Sequence, residues 1–281
     1  MFGFERQFRS SCAARKNAAS SFPKPLVIAS TVVALAAVLG GFAVMHRLHA
    51  ADADASITAL AEAAPAYRTF EGRLSAIPYR PFRPVVRGGD SSPDDTSTWR
   101  VIRVAANIQK QVDNHATSVN LHALGVAYLI LGDARRAVPE LEKALIAEQH
   151  AMSVADAVAA TRDDSSLDDL SAAYLARSES AHIASDRLSA LNCAERAWKL
   201  RPSAAAAWNR AIAATKLRLS NRIAAAWKDY LLLDTSSPWA HEARTRERQQ
   251  VTNPRNWRQW RPVIMNGGAA AREMGDRKSV V

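Results

Sequence analysis

The stretch that most constrains the fold is residues 119–147, which contain two consecutive patterns of helical period. The apolar residues of the first pattern are Leu121, Leu124, Tyr128 and Leu131. After a turn at Gly132, those of the second are Ala137, Leu141, Ala144 and Leu145. Steps of three and four residues place such side chains on one face of a helix. We therefore expect a helical hairpin, with the small residues Gly125 and Ala137 where its two helices approach each other.

Further hairpins follow, as they must if neighbours are to bury the apolar face of the first. Residues 170–174 repeat the residue classes of 124–128, and about seven residues are inserted within 178–187 before the partner helix. A third hairpin begins at Trp208, and a last helix, interpreted as a cap, begins at Pro238. Proline suits the first turn of a helix. The abundance of alanine also favours helix over sheet.

The first hairpin resembles a tetratricopeptide repeat, a helix–turn–helix unit of about 34 residues. The matching residues are Leu124, Gly125, Tyr128, Gly132, Ala137, Leu141 and Ala144. Leu121 replaces the family's tryptophan and Gln149 its terminal proline. The resemblance implies an all-α fold: a right-handed α-solenoid of about three helix pairs over residues 99–250.

In such solenoids the first helix of each unit lines a concave surface that binds an extended peptide or another helix. Projection of the repeat pattern onto that surface predicts a set of partner-binding residues. They are His122, Val126, Leu129, Asp168, Asn209 and Lys216. Some family members bind a terminal carboxylate there, but His122 and Val126 replace the basic residue and asparagine of that mode. The alternative is that the polar members are merely solvated positions.

A second resemblance covers roughly residues 68–247 and is carried by 71–90, 121–145 and 209–243. These segments look like the N-terminal half of bacterial proteins that join a membrane segment and tetratricopeptide repeats to a CHAT domain, a caspase-like peptidase fold. Because 34 residues follow residue 247, we expect that domain to be absent from this chain. The resemblance implies an alternative function as the regulatory half of a CHAT-type peptidase system.

A run of 20 residues without a charge, 26–45, is about long enough to cross a bilayer as a helix. Basic residues precede the run and acidic residues follow it, so the positive-inside rule places the N-terminus in the cytoplasm. We therefore expect a single-pass protein of the bacterial inner membrane with its repeats outside the cytoplasm. The alternative is a cleaved signal peptide, with small residues for cleavage at 51–53.

Three flanking segments complete the predicted organisation. Residues 1–25 form a basic cytoplasmic leader, and residues 251–281 a tail that we expect to be disordered. Residues 46–98 form a juxtamembrane segment, with a short helix expected over residues 56–67. Over residues 68–90, Pro78 and two further prolines exclude a regular helix, so this part is either a linker or an extended arm packed on the first helices of the solenoid.

The sequence contains no phosphate loop and no HExxH pair, and none of its seven histidines stands at metal-ligand spacing. The acidic pairs at 163–164 and 168–169 are explained by the start of a helix, where carboxylates favour the helix dipole. Residues 51–250 hold 25 basic and 24 acidic residues, a balance that argues against a nucleic-acid partner. We expect no catalytic residue, no metal, no cofactor and no small-molecule substrate.

These observations favour a membrane-anchored, non-catalytic scaffold for protein–protein interaction. Its partner would be a protein or a peptide, and membrane contact would come from residues 26–45.

Overall fold

The computed structural model describes residues 55–84 and 95–252. The regular secondary structure within these ranges is all helical, and no strand is formed there. The only β-type pairing among the described residues is one bridge between Arg68 and Phe82. The prediction of an all-α fold is therefore confirmed for the part of the chain described. The predicted leader, the predicted membrane helix and residues 253–281 of the predicted tail lie outside these ranges. No helix within them has the length and apolar composition needed to cross a membrane.

A short helical stretch over residues 55–63 comes first and is followed by an irregular segment over 64–84. The named helices of the described chain are α1 (Asp95–Asn114), α2 (Ser118–Ile130), α3 (Ala134–Gln149), α4 (Val154–Ala160), α5 (Asp164–Ser180), α6 (Asp186–Leu200), α7 (Ala204–Lys216), α8 (Ser220–Leu233) and α9 (Pro238–Thr252).

Consecutive helices pack as hairpins: α2 with α3, α5 with α6, and α7 with α8. Helix α1 packs on α2, the short α4 on α3, and α9 on α8. The hairpins pack on one another through α3 with α5, α6 with α7, and α5 with α7. This serial packing gives the apolar face of each hairpin the neighbours that it needs.

Local sequence explains where the helices begin. The side chains of Thr117, Ser153 and Ser203 each accept a hydrogen bond from a backbone N–H in the first turn of α2, α4 and α7, respectively. Such capping satisfies a donor that has no partner within the helix. The turn between α2 and α3 contains Gly132, whose φ of 81° suits glycine. The residues inserted within 178–187 are shared between a longer α5 and a loop over 181–185.

The close approach predicted at Gly125 is present between α2 and α3. A Cβ atom at this position would lie 2.6 Å from Cγ of Leu141 and 3.1 Å from the carbonyl oxygen of Ala137. Both distances are shorter than ordinary contact between non-bonded carbon and its neighbours. Glycine at position 125 is therefore needed for the two helices of this hairpin to pack at their observed separation.

Candidate functional site

The irregular segment over residues 64–84, here called the arm, doubles back on itself and packs on the helices. The backbone N–H of Arg68 donates to the carbonyl of Pro81, and that of Arg83 donates to the carbonyl of Arg68, both at 3.0 Å. Phe70 and Leu74 are buried in the hydrophobic core that the helices form. A free linker would leave these side chains in water. The arm is therefore an integral part of the folded unit.

We define the arm site as the residues after residue 95 that contact the arm through polar groups or aromatic rings, together with Glu179. They are Asp169 and Glu179 of α5, Trp208, Asn209 and Lys216 of α7, Tyr230 of α8, Asp234 after it, and Trp239, Glu242 and Arg246 of α9. Glu179 belongs to this set because it pairs with Lys216, which itself contacts the arm.

The centre of the arm is held by the side-chain amide of Asn209, which is fully buried. Its Oδ1 accepts from the backbone N–H of Arg73 at 2.8 Å, and its Nδ2 donates to the carbonyl of Arg73 at 2.9 Å. Nδ2 also donates to the main-chain carbonyl of Asp168 at 3.0 Å. The amide thus pairs with one residue of the arm as a neighbouring strand would. It joins α5, α7 and the arm through one buried group.

Asp169 holds the next part of the arm. The backbone N–H of Ser75 donates to Oδ1 of Asp169 at 2.7 Å, and the Ser75 hydroxyl donates to Oδ2 at 3.1 Å. On its other side, Oδ2 lies 3.0 Å from Nε2 of His122 in α2. Burial alone would lower the pKa of His122, but the hydrogen bond to Asp169 and the carboxylate charge raise it above its usual value. Asp169 therefore links the arm at Ser75 to His122 of α2.

Glu71 places a carboxylate of the arm between two cationic side chains. It lies 2.6 Å from Nζ of Lys216 and 3.1 Å from the guanidinium of Arg246. Burial alone would raise the pKa of Glu71, but these two cations outweigh that effect and lower it. In addition, the indole N–H of Trp208 donates to the backbone carbonyl of Glu71 at 2.9 Å. Glu71 is therefore bound through both its side chain and its main chain.

Gly72 lies where the arm comes closest to α5. A Cβ atom at this position would lie 2.7 Å from Cβ and 2.8 Å from Cα of Ala172. Because the obstacle includes the helix backbone, it cannot move aside as the tip of a flexible side chain could. The contact therefore excludes any side chain at residue 72 while the arm is in place.

Two of the four arginines of the arm, Arg68 and Arg73, are bound by aromatic rings and carboxylates of the helices. The guanidinium of Arg68 lies 4.4 Å from the ring centroid of Trp239 and 2.6 Å from Oε1 of Glu242. That of Arg73 lies 4.9 Å from the same ring and donates to the hydroxyl of Tyr230 at 2.8 Å. Cation–π contact combined with a paired carboxylate suits arginine better than lysine, because the guanidinium is planar.

The residues predicted for partner binding occupy different parts of this arrangement. Asn209 and Lys216 contact the arm directly, while His122 reaches it through Asp169. Val126 and Leu129 are almost fully buried in the core, so they offer no exposed surface in this structure. Asn209 and Lys216, which the repeat pattern projects onto one face, both contact the arm in the structure, so the chain itself covers these two residues.

The interpretation of the acidic pairs as helix-start residues holds for only one of them. Asp163 caps α5, since its side chain accepts from the backbone N–H groups of Ser165 and Ser166. Asp168 and Asp169 lie a turn further into the helix and are buried. Both carboxylates of this second pair lie within the helix, which begins at Asp164, and not at its start.

Asp168 is a buried carboxyl with little to stabilise its charge. Its Oδ2 accepts from the Ser203 hydroxyl at 3.0 Å, and its Oδ1 has no hydrogen-bond partner among the described residues. Burial, and then the neighbouring charge of Asp169, raise its pKa from 3.8 to about 8. Asp168 is therefore protonated at neutral pH in the folded chain.

Within the ranges that the structure describes, the His, Cys, Asp and Glu side chains form no group arranged to hold a metal ion. Cys193 is buried, and burial raises the pKa of its thiol to about 12, which disfavours the nucleophilic thiolate. Comparisons of the chain with protein-family models, with curated proteins and with solved structures found no match.

The unusual protonation of Asp168 predicts how stability depends on pH. Between pH 4 and 8 the unfolded chain ionises this group while the folded chain retains the proton, so its contribution to stability falls as pH rises and is lost above about 8. Asp168→Asn cannot ionise. We expect the melting temperature of the variant, relative to wild type, to increase by ~3 °C or more from pH 4 to pH 8.

Differential scanning fluorimetry across this pH range measures the effect. Asp113→Asn on the exposed surface of α1 is the matched control, and it should follow the wild-type profile. A constant difference between Asp168→Asn and wild type from pH 4 to pH 8 would show that Asp168 is ionised in the folded chain.

Proposed function

We propose that this chain is a membrane-anchored, non-catalytic scaffold that binds a peptide or protein partner. In this proposal the hairpins α2–α3, α5–α6 and α7–α8 form a right-handed solenoid of the tetratricopeptide-repeat type. The first helices α2, α5 and α7 line its concave surface, and α9 closes its end. The serial packing of the hairpins and the glycine at the α2–α3 contact support this architecture.

The observation that carries the proposal is that these helices already bind a non-helical segment through its main chain. Asn209 pairs with the main chain of Arg73, and Asp169 accepts from the main chain of Ser75. Main-chain pairing supplies affinity for an extended peptide, and side-chain contacts supply specificity. A surface that binds the chain's own arm in this way has the chemistry required to bind a similar segment of a partner.

The arm and a partner would then compete for one surface. Because the arm is covalently attached, its effective concentration at the site is high, on the order of millimolar for a short flexible connection. A partner must therefore either bind more tightly than the arm or arrive when the arm has been released. The arm thus raises the affinity that a partner needs in order to bind this surface.

In this proposal residues 26–45 anchor the chain in the membrane, with the repeats outside the cytoplasm. The length of the uncharged run and the basic residues before it support the anchor. We expect the full-length chain to stay in the membrane pellet after carbonate extraction. Recovery in the supernatant of a chain whose N-terminus begins near residue 54 would show that the segment is a cleaved signal peptide.

Partner capture tests the binding surface. Gly72→Leu should release the arm, because the new side chain would clash with Ala172. We expect crosslinking in native membranes to recover several-fold more partner with this variant than with wild type. Adding Lys216→Glu to the released variant should remove the gain, because that substitution reverses a charge within the arm site.

The matched control adds Arg135→Glu and Arg136→Glu, two exposed positions on α3, to the same Gly72→Leu background. These changes should leave capture unaffected. Equal losses from the α3 pair and from Lys216→Glu, or no gain on release of the arm, would remove the proposal that this surface binds the partner.

A further inference from the structure

The arm site selects its occupant by residue type at several consecutive positions. At the first position, the ring of Trp239 stacks on the guanidinium of Arg68 at 4.4 Å and Glu242 pairs with it at 2.6 Å. The ring of Trp208 lies 5.7 Å from the same group, and the rings of Tyr79 and Phe82, which belong to the arm itself, lie within 5.8 Å of it. A planar cation satisfies both the rings and the carboxylate, whereas an apolar side chain would leave Glu242 with Arg246 as its one cationic partner.

The next selected positions are an apolar residue and a carboxylate. Phe70 is buried in the helical core. The carboxylate of Glu71 lies between Lys216 and Arg246, which are themselves paired with Glu179 and Glu242. A neutral residue here would leave two partly buried cations with one acidic partner each. The site therefore favours an anionic side chain at this position of its occupant.

Glycine follows the carboxylate by necessity. A Cβ atom at residue 72 would lie 2.7 Å from Cβ of Ala172 and 2.8 Å from its Cα, so neither L-alanine nor any larger residue fits. This restriction is steric and does not depend on charge or on salt concentration. It is the sharpest element of selectivity in the site.

A second guanidinium completes the selection. Arg73 donates to the Tyr230 hydroxyl at 2.8 Å, lies 3.7 Å from Asp234 and stacks on Trp239 at 4.9 Å. The backbone of the same residue pairs with Asn209 through both its N–H and its carbonyl. Side-chain and main-chain recognition thus coincide at one residue, which fixes the register of the occupant relative to α7.

We propose that the arm site is a receptor for a segment of the pattern Arg–x–apolar–Glu–Gly–Arg, and that the arm is its intramolecular occupant. This inference rests on the proposed function and specifies its partner: a protein that presents these residues in a segment able to adopt the bent path of the arm. None of the contacts described requires the occupant to be covalently joined to the helices. A segment supplied by another molecule can therefore form every contact that the helices make to the arm once the arm has left; the contacts of Arg68 with Tyr79 and Phe82 lie within the arm itself.

A synthetic peptide with the sequence of residues 67–77, labelled with a fluorophore, tests the inference on the full-length chain. We expect the Gly72→Leu chain to bind this peptide at least ~10-fold more tightly than the wild-type chain, whose site is filled by the tethered arm. A peptide in which leucine replaces glycine at the position of Gly72 should bind neither chain. A peptide in which alanine replaces arginine at the position of Arg73 should lose at least ~10-fold in affinity.

Two further chains keep the test decisive. Ala76→Leu, at an exposed arm position, should behave as wild type. Should Gly72→Leu lose its helical circular dichroism, the Arg73→Ala chain serves as the arm-weakened receptor in its place. A folded arm-released chain that does not bind the peptide, or binding of equal strength by the released and wild-type chains, overturns the pattern. Partner capture by the released chain is scored separately, so the scaffold function can stand even when this pattern fails.

Discussion

The structure depends on one buried side-chain amide, that of Asn209 in α7. A buried amide is costly unless its donors and acceptor are paired. Both polar atoms of this amide are paired in the structure, with the main chain of Arg73 and with the carbonyl of Asp168. Removal of the arm would leave Oδ1 of Asn209 without this partner in an apolar setting. The arm and the hairpins therefore depend on each other, which explains why an irregular segment has side chains buried in the helical core.

The charged groups around the arm are likewise paired between the arm and the helices. Glu71 lies between Lys216 and Arg246, and Arg68 between Glu242 and the aromatic rings. Buried ion pairs contribute little net stability compared with apolar packing, because desolvation offsets their attraction. Their value lies in specificity, since removal of one partner leaves an unpaired charge. This asymmetry supports a role in selecting what occupies the surface rather than in holding the helices together.

The helices and hairpins were predictable because their apolar residues recur with a helical period. The same periodicity projected Asn209 and Lys216 onto one face, and both contact the arm in the structure. It left open whether the proline-rich segment is a linker or a packed arm, because such a segment has no period that specifies its partner surface. The prediction that Asp169 marks a helix start was wrong, since an acidic residue near a helix start has the same sequence signature whether it caps the helix or binds another segment. The deciding information was three-dimensional: which side chains α5 presents to the arm.

Native-state hydrogen exchange at the backbone amides of Arg73 and Ser75 measures whether the arm is bound to the helices in the folded chain. Both N–H groups donate to buried side chains, those of Asn209 and Asp169. We expect both amides to exchange at least ~100-fold more slowly than in an unstructured peptide. Exchange of both amides at the unprotected rate, while the amides of α5 and α7 stay protected, would show that the arm is not bound and would contradict the account.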